Sequence, residues 1–468
     1  MIPIRAASKS AKNLKIRHDE RDTTPLKPIH LPFIFDTALK VFTTFDPALR
    51  RNLLVLFIAG LLFWSGLAAL LPTLPLYIKA TGATDQLVGI VMACFAIGLI
   101  PPRGWLARLA DNRGRKLVLL IGMVAVAIAP LGYLLTSSIP ALMAIRAFHG
   151  LSIAAFALAY STLVVDLSPA HQRGEVIGYM SLVTPIGMAV GPAIGGFSYD
   201  WFGFTPMFLI AASLGMMGLV CTMQVKEVSP WKPTSPTNQT ATTQNQPDQN
   251  QPNQNQSDQF WRLLGSPRIR IPALVLLLVG FTFGGLSTFV ALFIKDAGVD
   301  LNVGLFFAAA AIASFVVRLI VGPASDRHGR GIFISLSLVF YVVAMLLLWT
   351  ANSSATFLLA GAVEGAGAGT LIPMIAALMA DRSYPDERGR TFGVCMLGFD
   401  AGIALAGPLL GAIATQLGYR SIFGISAGLA LLGLLIFLTQ SSKDLAHSLR
   451  FALGLGTDLH AVDAGTSK

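Results

Sequence analysis

The segment Gly322-Pro323-Ala324-Ser325-Asp326-Arg327-His328-Gly329-Arg330 decides the fold, because a near copy of its end stands 215 residues earlier. That copy is Asp111-Asn112-Arg113-Gly114-Arg115. The same offset carries further residues of the first half onto identical residues of the second: Arg103 onto Arg318, Gly150 onto Gly365, Asp166 onto Asp381 and Arg173-Gly174 onto Arg388-Gly389. Such regular spacing indicates an internal duplication.

Long apolar blocks surround the repeated segment. Apolar residues make up 54% of the 468 residues and charged residues only 12%, whereas an ordinary soluble domain carries about 25% charged residues. Each block has about 20 residues, enough to cross a hydrocarbon core of about 30 Å as a helix. Blocks recur before Lys226 and again after Pro267, and β-barrel alternation is absent. We predict an all-α membrane protein of twelve transmembrane helices in two pseudo-symmetric six-helix bundles.

The remaining segments set the domain boundaries. Polar residues dominate 1–50, and Gln, Asn, Pro, Thr and Ser dominate 229–258, which predicts a tail and a flexible linker. The predicted organisation is an N-terminal cytoplasmic tail at 1–50, a first bundle at 51–225, a cytoplasmic linker at 226–266, a second bundle at 267–440 and a C-terminal cytoplasmic tail at 441–468.

Basic residues are concentrated in alternate loops of the predicted bundle. One set of loops holds most of them, including Arg115 and Arg382, whereas the opposite loops contain Lys79, Lys295 and Arg420. By the positive-inside rule the first set faces the cytoplasm. We therefore expect an integral multi-pass protein of the plasma membrane with both termini in the cytoplasm. The net charge of +10 then reflects topology, and we expect no nucleic-acid partner.

The motif at residues 322–330 resembles the loop signature of the major facilitator superfamily, and the resemblance extends over residues 50–440. The family pattern Gly-x-x-x-Asp-Arg-x-Gly-Arg is complete there, while the first copy has Ala107 for the leading Gly and Asn112 for the first Arg. The resemblance implies the twelve-helix fold of that family. It also implies a secondary active transporter that works by alternating access.

In that family the motif forms a latch on the cytoplasmic side, which breaks when the two halves rock. The resemblance implies that each Asp meets a helix start of the opposite half, Asp111 near Arg388 and Arg390 and Asp326 near Arg173. It also implies that the last Arg of each copy pairs with an Asp in its own half. The residues assigned to this cytoplasmic gate are Asp111, Gly114, Arg115, Asp166, Asp326, Arg327, Gly329, Arg330 and Asp381.

Glycines recur at short intervals in the fifth predicted helix, in the stretch Gly187-Met188-Ala189-Val190-Gly191-Pro192-Ala193-Ile194-Gly195-Gly196. They predict a flat face for close helix contact, and the proline predicts a bend. A looser copy in the eleventh helix contains Gly402, Gly407 and Pro408. The pattern resembles the signature that family members use in proton-coupled export, and Gly66, Pro72 and Pro75 of the first helix resemble a pattern of the twelve-helix drug:proton antiporter group. The same residues also fit helix packing with no bearing on the direction of transport.

Four ionisable residues lie inside predicted helices, where a charge costs roughly 2.5–3.5 kcal/mol at the bilayer centre. Asp400 in the eleventh helix is about 15 Å deep, and Glu364 has a similar depth in the tenth. Arg146 and His149 share one face of the fourth helix. We assign these four to proton coupling and translocation. Asp400 or Glu364 takes up a proton from the outside, which either releases an outward-moving substrate or breaks a pairing with Arg146. A static ion pair or a helix-packing role is the alternative.

Two further arginines occupy equivalent positions in the two halves. Arg103 and Arg318 lie within a turn or two of the cytoplasmic ends of their helices. We expect their long side chains to snorkel to the membrane surface, and we assign neither a functional role.

These features predict a transporter rather than an enzyme, without a cofactor or a metal. The sequence contains no nucleotide-binding loop, and its three cysteines follow no metal-ligand or pairing pattern. We predict proton-coupled export (efflux) of small amphipathic or drug-like molecules. The expected partners are the solute, protons and the lipid bilayer, with a monomer as the working unit. An uptake permease for a small metabolite and a non-transporting membrane sensor are the alternatives.

Overall fold

The computed structural model describes residues 45–169, 172–227, 262–384 and 387–462. Twelve helices within these ranges are long and apolar enough to cross a membrane, so the predicted fold class is confirmed. They are α1 (Pro47–Ala80), α2 (Asp85–Arg113), α3 (Arg115–Leu135), α4 (Ile139–Leu167), α5 (Arg173–Phe202), α6 (Phe204–Gln224), α7 (Pro267–Asp296), α8 (Val303–His328), α9 (Arg330–Thr350), α10 (Ser354–Asp381), α11 (Arg388–Leu417) and α12 (Tyr419–Gln440), and a short α13 (Leu445–Ala452) follows.

Prolines interrupt the first two helices. The regular part of α1 ends at Ala69 and resumes at Leu74, with Pro72 between them. In α2 the dipeptide Pro101-Pro102 precedes a new helical segment that begins at Arg103. A proline lacks the N–H that the helix needs and its ring collides with the preceding turn. The break therefore makes Arg103 the first residue of the segment that leads to the first latch loop.

Each half contains two sets of three packed helices. In the first half, α1 packs with α5 and α6, and α4 packs with α2 and α3; in the second, α7 packs with α11 and α12, and α10 packs with α8 and α9. The halves meet mainly along two seams, α2 against α11 and α5 against α8. Because the number of spans is even, both ends of the described chain lie on one side. We call it the termini side and its opposite the far side.

The predicted tails and linker lie largely outside the described residues, but two boundaries are visible. The first helix begins at Pro47, a few residues before the expected end of the N-terminal tail. The C-terminal tail expected at 441–468 is folded up to residue 462, with α13 and the following turns packed on the second half. We call residues 444–462 the C-terminal strap.

Arg382 ties the strap to the second half. The sequence indicated only a solvated loop charge at this position, but the side chain of Arg382 is fully buried. Its Nε donates to Asp458 Oδ2 at 2.7 Å and its Nη2 to Asp458 Oδ1 at 3.0 Å. It also donates to the carbonyl oxygens of Arg268 and Ser441. The arginine therefore joins the starts or ends of α7, α10 and α12 to the strap through charge-assisted hydrogen bonds.

The chain segment after the last helix of each half anchors that half's latch loop. After α6, the carboxylate of Glu227 accepts the backbone N–H groups of Arg115 and Lys116 at the start of α3. A carboxylate at this place satisfies free N–H groups of a helix N-terminus. In the second half, the carbonyl oxygen of Phe451 in the strap packs against Gly331 at the start of α9. Both latch loops are thus fixed to their own bundle.

We expect Asp458→Ala to release the strap. The substitution leaves the buried Arg382 without its carboxylate, and breaking such a pair costs roughly 3–5 kcal/mol unless the arginine reaches water. In detergent, limited proteolysis between residues 441 and 462 is expected to accelerate roughly tenfold or more, and the thermal midpoint to fall. Asp444→Ala is the matched control, because Asp444 is exposed and both its cap of α13 and its pair with the His447 ring stay within α13. Equal proteolysis of the two variants would contradict the anchoring role.

Candidate functional site

Backbone contacts between small residues close the far side of both seams. A Cβ added at Gly89 of α2 would lie 1.9 Å from the carbonyl oxygen of Gly407 in α11. A Cβ added at Gly304 of α8 would lie 2.3 Å from the carbonyl oxygen of Pro192 in α5. No side chain fits at these distances, so the two halves touch backbone to backbone.

The predicted glycine face of α5 is confirmed as a packing surface. Gly187, Gly191 and Gly195 pack against Trp64, Ser65 and Ala69 of α1, while Gly196 packs against Gly304 of α8. In α11, Gly402 packs against Leu277 and Gly280 of α7, whereas Gly407 reaches the opposite half. The glycine faces therefore serve both contacts within a half and contacts across the seams.

Polar side chains add to the contact on the far side. Asp85, at the start of α2, accepts a hydrogen bond from Tyr419 of the other half at 2.5 Å and pairs with Lys79 at 2.6 Å. Asp200, at the end of α5, accepts a hydrogen bond from Asn302 of the other half at 2.7 Å. Sequence reasoning missed this cluster, since it treated the far-side charges only as markers of topology.

On the termini side the latch loops make ion pairs within their own halves. Arg115 Nη1 lies 2.6 Å from Asp166 Oδ2, and Arg330 Nε lies 3.5 Å from Asp381 Oδ2, as predicted. Arg330 also pairs with Asp326 of its own loop.

The expected contacts of the latch with the opposite half are absent from this conformation. Within the described ranges, no ion pair or hydrogen bond joins Asp111 to Arg388 or Asp326 to Arg173. Arg115 and Arg330 pair only inside their own halves. The seams are therefore in contact on the far side, and the latch is not engaged on the termini side.

An ion pair joins the halves between these two levels. Arg103 Nη1 in α2 lies 2.7 Å from Asp400 Oδ2 in α11, and the aspartate side chain is 7% exposed. The two charged groups form an ion pair, but Asp400 Oδ2 accepts no hydrogen bond from the described residues. Asp400 and Gly407 are two helical turns apart on the α2-facing side of α11. The snorkelling predicted for Arg103 is therefore wrong, because the arginine turns towards the buried acid of the other half.

Arg146 and His149 lie in a different environment from the one predicted. The Arg146 guanidinium lies 4.4 Å from the ring centre of Phe95 in α2, and His149 Nδ1 lies 3.3 Å from the hydroxyl oxygen of Tyr133 in α3. His149 is fully buried and its Nε2 has no hydrogen-bond partner. Among the described residues no ion pair links Arg146 to Asp400 or Glu364, and Arg103 pairs with Asp400 instead.

Glu364 is buried inside the second half. It is 4% exposed, and its Oε1 has no hydrogen-bond partner. On the same helix, Gly361 and Gly365 pack on α8, and Gly367 packs on α9. At 100° per residue Glu364 lies between these two lines of contact. The structure therefore separates the two acids that sequence analysis grouped: Asp400 faces a seam, whereas Glu364 faces neighbours of its own bundle.

Known protein sequences resemble this chain along most of its length. The model of the family described as the Major Facilitator Superfamily matches residues 56–325 and 300–453. The multidrug resistance protein MdtG of Serratia proteamaculans is 28% identical over 393 residues, which cover 81% of this chain and 90% of MdtG. The quinolone resistance protein NorA of Staphylococcus aureus is 30% identical over 177 residues, which cover 37% of this chain and 45% of NorA. The match to NorA thus spans less than half of that relative.

Solved structures share the fold at low sequence identity. The nucleoside transporter NupG superposes with a TM-score of 0.68 at 14% identity, covering 82% of this chain and 98% of NupG. A bacterial homologue of the lysosomal transporter Spinster gives a TM-score of 0.62 at 14% identity, covering 87% of this chain and 97% of its own. At these identities the likeness establishes the architecture of two six-helix bundles and no more.

We expect Gly89→Val to separate the far side of the α2–α11 seam, because the new side chain would overlap the backbone of Gly407. Spin labels are placed at Ala80→Cys and Gln416→Cys, both exposed at that side. The distance between them, measured by double electron–electron resonance, is expected to increase by several ångströms. Gly428→Val is the control, since a Cβ there meets no atom within 4 Å. An unchanged distance in folded Gly89→Val protein would rule out this contact as the far-side closure.

Proposed function

Because the chain belongs to the Major Facilitator Superfamily, we propose that this secondary transporter exports small amphipathic molecules in exchange for protons. Membership in the family establishes a membrane transporter and not an enzyme. The proton coupling, the outward direction and the chemical class of solute belong to the proposal. The observation that carries it is the ion pair between Arg103 and Asp400, which crosses from one half to the other.

The proposal also needs an orientation for the termini side. That side carries the arginine-rich latch loops, and basic loops remain in the cytoplasm by the positive-inside rule. The protein then lies in the plasma membrane with both termini in the cytoplasm. In the conformation described, the passage between the halves opens to the cytoplasm, because the halves touch on the far side and the latch is not engaged.

The seam ion pair supplies a switch that a proton can operate. While Asp400 is ionised, its attraction to Arg103 holds α2 and α11 together between their ends. Uptake of a proton by Asp400 removes that attraction and leaves Arg103 free to turn towards the passage. In the exchange cycle Asp400 takes up a proton from the outside while the far side is open, and release of that proton to the cytoplasm after the far side has closed restores the pair. The switch has to shift the equilibrium between two packed arrangements of the halves, one closed on the far side and one closed on the cytoplasmic side.

Energy for export comes from the proton that moves in the opposite direction. Moving one elementary charge down a membrane potential releases about 2.3 kcal/mol per 100 mV. At about 1.4 kcal/mol per factor of ten, one proton sustains roughly a fortyfold solute gradient for an uncharged solute at that potential. When the protein opens to the outside, the latch would engage and close the cytoplasmic side. Asp111 and Asp326 would then lie against the opposite half.

The other predicted coupling residues have supporting positions in this proposal. Glu364 and His149 are buried within single bundles, and Arg146 packs on the ring of Phe95. These positions fit proton transfer that passes through one bundle and equally fit helix packing. We propose Asp400 as the acid that couples, because it alone among the four faces the opposite half.

We expect everted membrane vesicles to accumulate the fluorescent quinolone norfloxacin when a proton gradient, acidic inside, is imposed. Norfloxacin is chosen because the relative NorA is a quinolone resistance protein. Asp400→Asn is expected to reduce gradient-driven accumulation roughly tenfold or more while leaving downhill exchange of the solute in place, because the carboxamide cannot exchange a proton. Asp300→Asn, in the far-side loop before α8, is the control acid and should accumulate as the unmodified protein does.

The outcomes separate the competing functions. Accumulation in right-side-out vesicles instead of everted ones would identify an uptake permease. Norfloxacin-dependent proton flux that persists in Asp400→Asn would remove Asp400 from the coupling step. If none of a panel of quinolones and amphipathic dyes moves with or without protons, the exporter proposal is wrong.

A further inference from the structure

Helix α8 has one side towards lipid and one side towards the protein interior. Its exposed apolar residues follow a single line along the helix, namely Leu305, Ile312, Val316 and Ile320. On the other side, Phe306 and Ala310 pack on glycines of α10, and Gly304 packs on α5 of the opposite half. The interior side of α8 is therefore the arc between its contacts with α10 and with α5.

Arg318 lies on that interior arc. At 100° per residue it falls between the directions of Phe307 and Ala311, two to three turns nearer the termini side. Phe307 is 7% exposed and Ala311 is 9% exposed, and Ala311 lies two turns along the helix from Gly304, which packs on α5. Arg318 is exposed although it faces the same way. The exposed surface of Arg318 therefore belongs to the passage that opens between the halves.

Arg318 lies inside the membrane-spanning part of α8, four residues before its end at Gly322. The residue is fifteen positions from Val303 at the far end of the helix, so it lies about 22 Å into a hydrocarbon core of about 30 Å. A guanidinium at this depth that turns away from lipid needs water or an opposite charge. Within the described residues, no hydrogen bond or ion pair to the Arg318 side chain is present.

The internal duplication identifies the missing partner. Arg318 in the α5–α8 seam occupies the position of Arg103 in the α2–α11 seam. Arg103 has Asp400 as its counter-charge. The residue of α5 that corresponds to Asp400 is Pro185, which carries no charge. One seam therefore contains an arginine neutralised by the protein, and the other contains an arginine whose guanidinium is open to the passage.

We propose that Arg318 binds the anionic group of the transported solute, a carboxylate, phosphonate or phosphate. The planar guanidinium offers paired N–H donors that match two oxygens of such a group. The solute then replaces the acid that α5 lacks, opposite the pair formed by Arg103 and Asp400. The proposal rests on the proposed function in one respect, that solutes pass between the halves. Anionic lipid is the other source of the same chemistry, and the interior direction of Arg318 favours a solute.

The first test measures the charge of the site. In full-length protein whose three cysteines are replaced, Gly322→Cys places a thiol one turn from Arg318, where an added Cβ meets no atom within 4 Å. Its labelling rates with the anionic sulfonatoethyl and cationic trimethylammonioethyl methanethiosulfonates are compared in proteoliposomes. Adding Arg318→Gln is expected to lower the anionic-to-cationic rate ratio roughly fivefold or more. Ile320→Cys, on the lipid side, is the control and should react with neither reagent.

The second test measures the anion itself. Protection of the Gly322→Cys thiol is compared between 2-naphthoate and the uncharged 2-naphthamide. With Arg318 present, naphthoate is expected to slow labelling at concentrations at least roughly tenfold lower than naphthamide. Arg318→Gln should abolish this difference, and Arg318→Lys should keep part of it, because lysine retains the charge without the fork.

Three results would overturn the proposal. They are a thiol that neither reagent reaches, a rate ratio that Arg318→Gln leaves unchanged, and equal protection by naphthoate and naphthamide. Repeating the protection in phosphatidylcholine with and without phosphatidylglycerol separates the two anion sources; protection that comes only from phosphatidylglycerol would assign the site to lipid. No proton gradient is applied, so loss of proton coupling in Asp400→Asn does not affect these readings.

Discussion

A charged side chain between membrane-spanning helices has to meet an opposite charge or water, and the arginines of this protein obey that constraint in different ways. Arg103 reaches Asp400 across a seam. Arg382 is enclosed by Asp458 and two backbone carbonyl oxygens. Arg146 lies over the ring of Phe95, where the negative face of the aromatic ring stabilises a cation. The placement of these partners determines which helices are joined within a half and which are joined across the halves.

The contacts within the seams differ in how easily they separate and re-form. Glycine against a backbone carbonyl, as at Gly89 and Gly407, gives close packing through many weak interactions. Such a contact has no charge to neutralise when it separates, so it can part and re-form between two arrangements. The pair of Arg103 with Asp400 is different, because its separation exposes two charges unless one of them is neutralised. A protonation event therefore acts on the ion pair and leaves the glycine contacts to follow.

The fold could be predicted from the sequence because it depends on local composition. Blocks of about 20 apolar residues and a repeated loop motif report helix number and duplication without knowledge of tertiary contacts. The ion pairs of Arg115 and Arg330 were also predictable, since each partner lies at a fixed place in the duplicated pattern. The partner of Asp400 was not predicted, because Arg103 was expected to reach the membrane surface. Arg146 lies about 10 Å from the far end of α4, whereas Arg103 lies about 27 Å from the far end of α2, close to the level of Asp400 at about 25 Å from the far end of α11. The burial of Arg382 depended on Asp458, which lies in a segment that composition alone marks as a polar tail.

Duplication followed by divergence explains why these differences lie where they do. The residues that both halves keep are the ones that shape the backbone, such as the glycines that begin α3 and α9 at Gly114 and Gly329. Of the buried acids that differ, Asp400 faces the space between the halves, whereas Glu364 lies within one bundle. An acid at position 400 has a proline as its counterpart at position 185, while the arginines opposite both positions are kept. A symmetric pair of neutralised seams would give a passage without a fixed charge. Because position 185 carries no acid, Arg318 leaves a net positive charge on the α8 wall of the passage. By Coulomb's law this wall attracts an anion, and a low dielectric constant strengthens the attraction.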